Sequence, residues 1–218
     1  MRGVVFDMDG LMFDTERVFV QAWDAVGERM GVGKAGDMVL KTIGMSTQSA
    51  YGLWTARFGE DFDMDALRAH TRAFLRAYYQ THDTPLKPGL FEALDALKAR
   101  GLALAVASST KRAEALGHLD GAGVTGYFDA LIFGDMVERT KPDPEPYRRA
   151  CQALGLGPEV CLALEDSPSG IRSAHAAGLR VAMIPDLYPP DADILSRLCA
   201  RLDSLAEVPA LIDRLDAQ

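Results

Sequence analysis

From Leu86 onward this chain of 218 residues alternates short apolar runs with helix-forming stretches, and that rhythm restricts the fold more than any other feature. The runs Leu102 to Ala107, Ala130 to Phe133, Val160 to Leu164 and Arg180 to Ile184 have the length and apolar character of buried strands. Strands of this kind are covered on both faces, as in parallel sheets. Between them the sequence predicts helices over Leu90 to Arg100, Lys111 to Leu119, Glu145 to Leu154 and Ser167 to Ala177. Gly101, Gly155 and Gly178 stand where helices end, since glycine enters the left-handed conformation of a helix terminus at no steric cost. Strands alternating with helices define an α/β fold built on a doubly wound parallel sheet.

The stretch from Thr15 to Asp83 has a different pattern, without a strong strand candidate. Val18, Phe19, Ala22, Trp23, Val26 and Met30 recur at helical spacing, and Gly31 closes that helix. Further helices are expected over 37–42, 47–58 and 64–81, and Asp83-Thr84-Pro85 breaks the last of them. The expected organisation is an α/β core made of residues 1–14 and 86–218, interrupted by an all-helical domain over 15–85.

The first strand runs into Phe6-Asp7-Met8-Asp9-Gly10. Alternate side chains of an extended chain share a face, so Asp7 and Asp9 project to one side where the strand gives way to a loop. Two carboxylates this close repel, which calls for a cation, a shared proton or both. Mg2+ is the usual partner, a hard ion that prefers oxygen ligands and often brings a phosphate with it. Ser108 follows the Leu102 to Ala107 run, Glu165-Asp166 follow Val160 to Leu164, and Lys141 stands in Lys-Pro-Asp-Pro. Hydroxyl, lysine and carboxylates of this kind form a phosphate-and-metal inventory, and ligands of open α/β sheets sit at the carboxyl ends of the strands.

In order and spacing, Asp7-Met-Asp-Gly-Leu-Met-Phe-Asp-Thr, Val106-Ala-Ser-Ser-Thr, Lys141-Pro-Asp-Pro and Glu165-Asp-Ser-Pro-Ser-Gly resemble the motifs of the haloacid dehalogenase-like phosphotransferases. The resemblance covers nearly the whole chain. It is strongest to members with a helical cap inserted after the first motif, such as the β-phosphoglucomutases and sugar-phosphate phosphatases. It implies a Rossmann-like core and a cap that selects the leaving group. It also implies Asp7 as nucleophile, Asp9 as general acid and base, and Ser108 and Lys141 as phosphate-binding residues. Mg2+ is then held by Asp7, by Asp9 through its backbone carbonyl and by Asp166, with Glu165 acting through water or by orienting the others. Gly44 and Thr47, in the turn before a cap helix, and Arg72 and Arg76, one helical turn apart, are the candidate specificity residues.

Two departures bear on the reaction. β-Phosphoglucomutases carry a histidine where this chain has Phe19 and an arginine where it has Thr47. A mutase must hold a bisphosphorylated sugar and keep water from the phosphorylated aspartate, so losing both polar contacts favours a plain phosphatase over a mutase. Dehalogenases lack an acid two residues after the nucleophile, and Asp9 argues against them. A non-catalytic phosphometabolite-binding or partner-binding protein would be expected to have lost a catalytic carboxylate, whereas this chain keeps them all.

The net charge of −8 disfavours nucleic acid, whose binding needs a basic footprint. It also leaves the attraction of a phosphorylated metabolite to local cationic groups. No apolar stretch reaches the roughly 18 residues of a membrane helix. The first strand starts almost at Met1, which leaves no room for a signal peptide and points to the cytoplasm. Cys151, Cys161 and Cys199 show no metal or redox spacing and are expected to be buried free thiols. His70, His82, His118 and His175 show no metal-ligand spacing either, and a monomer is the expected state, with a dimer left open.

Overall fold

The computed structural model describes residues 1–42 and 47–217, together with the backbone but not the side chains of 47–49. Two compact units divide the chain: Met1–Asp14 with Thr84–Gln218, and Thr15–Asp83.

In the first unit, β1 (Gly3–Phe6), β2 (Ala103–Ala107), β3 (Ala130–Ile132), β4 (Cys161–Glu165), β5 (Arg180–Met183) and β6 (Ala200–Arg201) form one sheet. All pairings among the described residues are parallel, in the order β3-β2-β1-β4-β5-β6. The order reverses between β1 and β4, which is where doubly wound sheets open a crevice for ligands. Because side chains alternate across a strand, the sheet feeds two separate cores. Val4, Phe6, Leu104, Val106, Leu162 and Leu164 pack on one face, and Val5, Ala105, Ala107, Cys161 and Ala163 on the other.

Helices cover both faces. Leu90, Leu94 and Leu97 of α5 (Leu90–Ala99) join Leu119 of α6 (Arg112–Gly121) and Leu211 of α10 (Val208–Asp216) on the first face. Tyr147 and Ala150 of α7 (Glu145–Ala153), Ile171 and Ala174 of α8 (Pro168–Ala177) and Ile194 of α9 (Ala192–Leu195) cover the second. Four of these helices lie within a residue or two of their expected positions. The segment after Ile184 carries no expected element, and its two-residue strand β6 is too short to leave an apolar run. Cys151 and Cys161 are buried, whereas Cys199 departs from the expected burial and is exposed, beside the edge strand β6.

The second unit contains α1 (Thr15–Arg29), α2 (Gly36–Thr42), α3 (Thr47–Phe58) and α4 (Met64–Tyr79). It has its own core, in which Trp23, Val26, Met38, Trp54 and Leu67 are buried. Trp54 stacks on Phe62 with ring centroids 6.1 Å apart and lies 5.2 Å from Trp23. Among the described residues, no helix is long and apolar enough to cross a membrane.

Candidate active site

The sheet register gathers the sequence-predicted residues of the first unit. Phe6 pairs with Val106 on one side and Leu164 on the other. The residues that follow these three positions therefore emerge together at the carboxyl ends of adjacent strands. Asp7 continues β1 by one step, its N–H donating to the Leu164 carbonyl at 3.0 Å. Ser108 lies just past β2, and Glu165 closes β4 with Asp166 directly after it.

Lys141 reaches this cluster from the loop between β3 and α7. Its ammonium donates to Asp7 Oδ1 at 2.5 Å and to Glu165 Oε1 at 2.6 Å. The loop is tied at both ends of Asp143, whose carboxylate accepts from Glu145 N at 3.0 Å and whose carbonyl accepts from Ser173 Oγ.

Glu165 has no exposure, and its carboxylate is fully engaged. Oε1 accepts from Lys141 and from the Tyr147 hydroxyl at 2.6 Å, while Oε2 accepts from Asp166 N, Ser167 N and Ser167 Oγ at 3.0–3.2 Å. A β-carbon on Gly170 would lie 1.7 Å from Glu165 Oε1, so the first turn of α8 approaches this closely only because residue 170 is glycine. Gly10 does the same for Asp166: it has φ +80°, and a β-carbon there would meet Asp166 Oδ2 at 2.2 Å.

Carboxylate oxygens of Asp7, Glu165 and Asp166, all buried, lie within 4.8 Å of one another. Burial pushes the Asp7 carboxyl up to about 8; Lys141 opposes this and the Glu165 charge adds to it. A carboxylate ready at pH 7 therefore depends on a further positive charge beside it. For Lys141, burial alone would lower the pKa, but the charges of Asp7 and Glu165 outweigh it and the ammonium is held above its ordinary value. Burial and the Glu165 charge raise the Tyr147 phenol, which stays protonated as a donor. Three buried carboxylates facing one ammonium form an oxygen-rich, electron-rich set that fits a hard divalent cation. With both Glu165 oxygens saturated, Asp7 and Asp166 are the side chains suited to direct ligation.

Tyr147, Gly170 and Ser167 enter this network without having been singled out from the sequence. Tyr147 lies six residues after Lys141, and its ring centroid is 5.0 Å from Lys141 Nζ. Ser109 and Thr110 look in the sequence like helix caps, but Lys111 is the residue that precedes α6. The Thr110 hydroxyl donates instead to Asp9 Oδ2 at 2.7 Å, and Ser108 Oγ accepts from Thr110 N at 3.0 Å.

The candidate specificity residues belong to the second unit. Gly44 lies outside the described residues, as does the side chain of Thr47, which opens α3. Arg72 and Arg76 are exposed on α4. Phe19 packs against that unit's core, edge-on to Trp23 at 5.9 Å.

The chain belongs to the haloacid dehalogenase-like hydrolases, whose family model matches residues 4–184. It is 32% identical to a phosphorylated carbohydrates phosphatase of Thermotoga maritima over 82% of either chain. It is likewise 32% identical to a phosphoglycolate phosphatase of Nitrosospira multiformis, over 98% of this chain and 96% of the relative. Among solved structures it resembles CbbY of Rhodobacter sphaeroides in complex with phosphate. That match has a TM-score of 0.74 and 26% identity, over 95% of this chain and 96% of the other.

Proposed function

We propose that this protein is a Mg2+-dependent phosphatase that hydrolyses a small phosphorylated metabolite of the sugar-phosphate kind through an aspartyl-phosphate on Asp7. The observation that carries the reading is the buried Lys141 ammonium bridging Asp7 and Glu165 at the carboxyl ends of β1 and β4. It is a cation fixed beside a nucleophile, where a phosphate would need it. The relatives named above act on phosphorylated carbohydrates and phosphoglycolate, which supports the substrate class.

In the first half-reaction an Asp7 oxygen attacks phosphorus, the bond from phosphorus to the leaving oxygen breaks, and Asp9 gives that oxygen its proton. In the second, Asp9 takes a proton from water, whose oxygen attacks phosphorus. The bond to Asp7 breaks and inorganic phosphate leaves. Ser108 and Lys141 hold the phosphoryl oxygens, and Lys141 meets the charge that spreads over them. Asp7, Asp166 and the Asp9 carbonyl would hold Mg2+, with Glu165 orienting the Asp166 backbone and Lys141. When bound, the ion supplies positive charge that keeps Asp7 ionised and offsets the phosphate.

We assign selection of the leaving group to the helical unit over 15–85, through Gly44, Thr47, Arg72 and Arg76. Phe19, packed among that unit's apolar residues, supports hydrolysis over sugar-phosphate mutation. A monomer working in the cytoplasm, where its thiols stay reduced, completes the reading.

A panel of about a hundred phosphorylated metabolites, assayed for phosphate release with Mg2+ and with EDTA, tests it. Mg2+-dependent release that Asp7→Asn abolishes is the expected result. Undiminished turnover by Asp7→Asn would overturn the covalent route. Primed conversion of β-glucose 1-phosphate to glucose 6-phosphate faster than phosphate release would replace phosphatase by mutase.

A further inference from the structure

We infer that Thr110 is a positioning residue for Asp9, fixing which carboxyl oxygen delivers the proton to the leaving group. The inference rests on the phosphatase reading above and adds to it a residue outside the nucleophile, acid, phosphate and metal sets.

Thr110 Oγ1 donates to Asp9 Oδ2 at 2.7 Å, across the gap between the loops that follow β1 and β2. A hydroxyl carries one hydrogen, so this contact occupies Oδ2 and leaves Oδ1 as the oxygen able to carry a transferable proton. It also opposes rotation of the carboxyl group, whose terminal torsion is otherwise soft.

The donor is mounted on a braced turn. Thr110 N donates to Ser108 Oγ at 3.0 Å, and the Thr110 carbonyl accepts from Gly134 N at 3.0 Å. A β-carbon on Gly134 would fall 2.1 Å from the Ser109 carbonyl oxygen, so this turn sits against a residue that must lack a side chain. The ordinary use of a threonine here, capping the next helix, is excluded, because the residue preceding α6 is Lys111 and no side chain caps it. The turn therefore couples Ser108, placed to hold phosphate, to the orientation of Asp9. Proton transfer depends steeply on such alignment.

The test compares wild type, Thr110→Val, which keeps the shape and removes the hydroxyl, and Thr110→Ser, which keeps the hydroxyl. First-turnover rates with Mg2+ are measured by rapid quench on two substrates: an alkyl phosphate, whose alcohol must be protonated to leave, and dinitrophenyl phosphate, whose phenolate leaves without a proton. Thr110→Val is expected to slow the alkyl phosphate on the order of tenfold, a part of the 10²–10⁴-fold that a positioned acid contributes. It should change the dinitrophenyl rate less than about twofold, with Thr110→Ser near wild type on both. Equal slowing on both substrates, or a serine variant as slow as valine, would overturn the inference. So would a further loss on adding Thr110→Val to Asp9→Asn, a comparison that stands even if the single valine variant folds poorly. A wild type inactive on both substrates would instead overturn the phosphatase reading, so the two failures are distinguishable.

Discussion

Gly170 and Glu165 share one small volume: a single added carbon on the glycine would fall 1.7 Å from Glu165 Oε1. The carboxylate is anchored by donors on both oxygens, and α8 is anchored by Ser167, whose Oγ accepts from Gly170 N at 3.1 Å. Neither side can retreat without losing hydrogen bonds. Gly170→Ala is therefore expected to destabilise by about 1–3 kcal/mol and to displace Glu165 from Lys141. Gly117→Ala is the control. It lies inside α6 with open space around it, so the same change should stabilise by about 0.5–1 kcal/mol. Urea denaturation of the two variants checks the contrast; similar effects would show that the crowding at residue 170 is relieved without cost.

Tyr147 and Lys141 donate to the same oxygen of Glu165, each at 2.6 Å. With the phenol removed, the ammonium is drawn toward Glu165 and away from Asp7. Tyr147→Phe keeps the ring beneath Lys141 but should cost about 1.5–3 kcal/mol, the range for hydrogen bonds to charged groups. It should also weaken competitive inhibition by inorganic phosphate. Denaturation and inhibition constants that both match wild type would remove the phenol from the network.

Asp7 gives metal-free stability a dependence on pH. Its folded pKa of about 8 lies above its ordinary value of 3.8. The folded state thus binds this proton more tightly than the unfolded chain does. That contribution is complete below about 4 and is lost as pH rises through about 8. In EDTA, thermal stability should fall between pH 5 and 8 more steeply for wild type than for Asp7→Asn, which has no proton to release. Mg2+ should flatten the wild-type slope. Parallel slopes for the two proteins in EDTA would contradict this account.

Leu67 is fully buried in the helical unit, whose apolar residues form a cluster separate from both sheet faces. Leu67→Ala should cost about 2–5 kcal/mol. Hydrogen exchange should quicken in α1 and α4 while amides of β1 and β4 keep their protection. Uniform quickening throughout the chain would show that the two units unfold together.

The chemistry was legible where it coincides with the end of an apolar run. Asp7, Ser108 and Glu165-Asp166 each follow a buried segment, and in a parallel sheet all such endings lie on one side. What the sequence concealed depends on packing between elements distant in the chain. Tyr147 reads as an ordinary core residue of α7, which it also is, and only its buried hydroxyl demands a polar partner. Gly170 interrupts a helix at some cost, a hint of close approach that does not name the approaching group. Thr110 resembles a helix cap until its distance to Asp9 is known. The segment after Ile184 stayed unreadable because β6 has two residues and takes its place from pairing with β5.

One short ladder has a consequence for how such a chain diversifies. The strand leaving β1 and the strand returning to α5 run side by side: Asp14 N donates to the Pro85 carbonyl at 2.8 Å, Lys87 N to that of Met12 at 2.9 Å, and Phe13 bridges Leu86. The insertion thus begins and ends at neighbouring points, closed off by main-chain bonds that are indifferent to side-chain identity. To the sheet, whatever lies between Asp14 and Thr84 is a loop whose ends already meet, and lengthening such a loop costs little entropy. A gene could exchange this cassette for another of different length and leave the register of all six strands untouched, so that substrate preference and core chemistry can evolve on separate clocks.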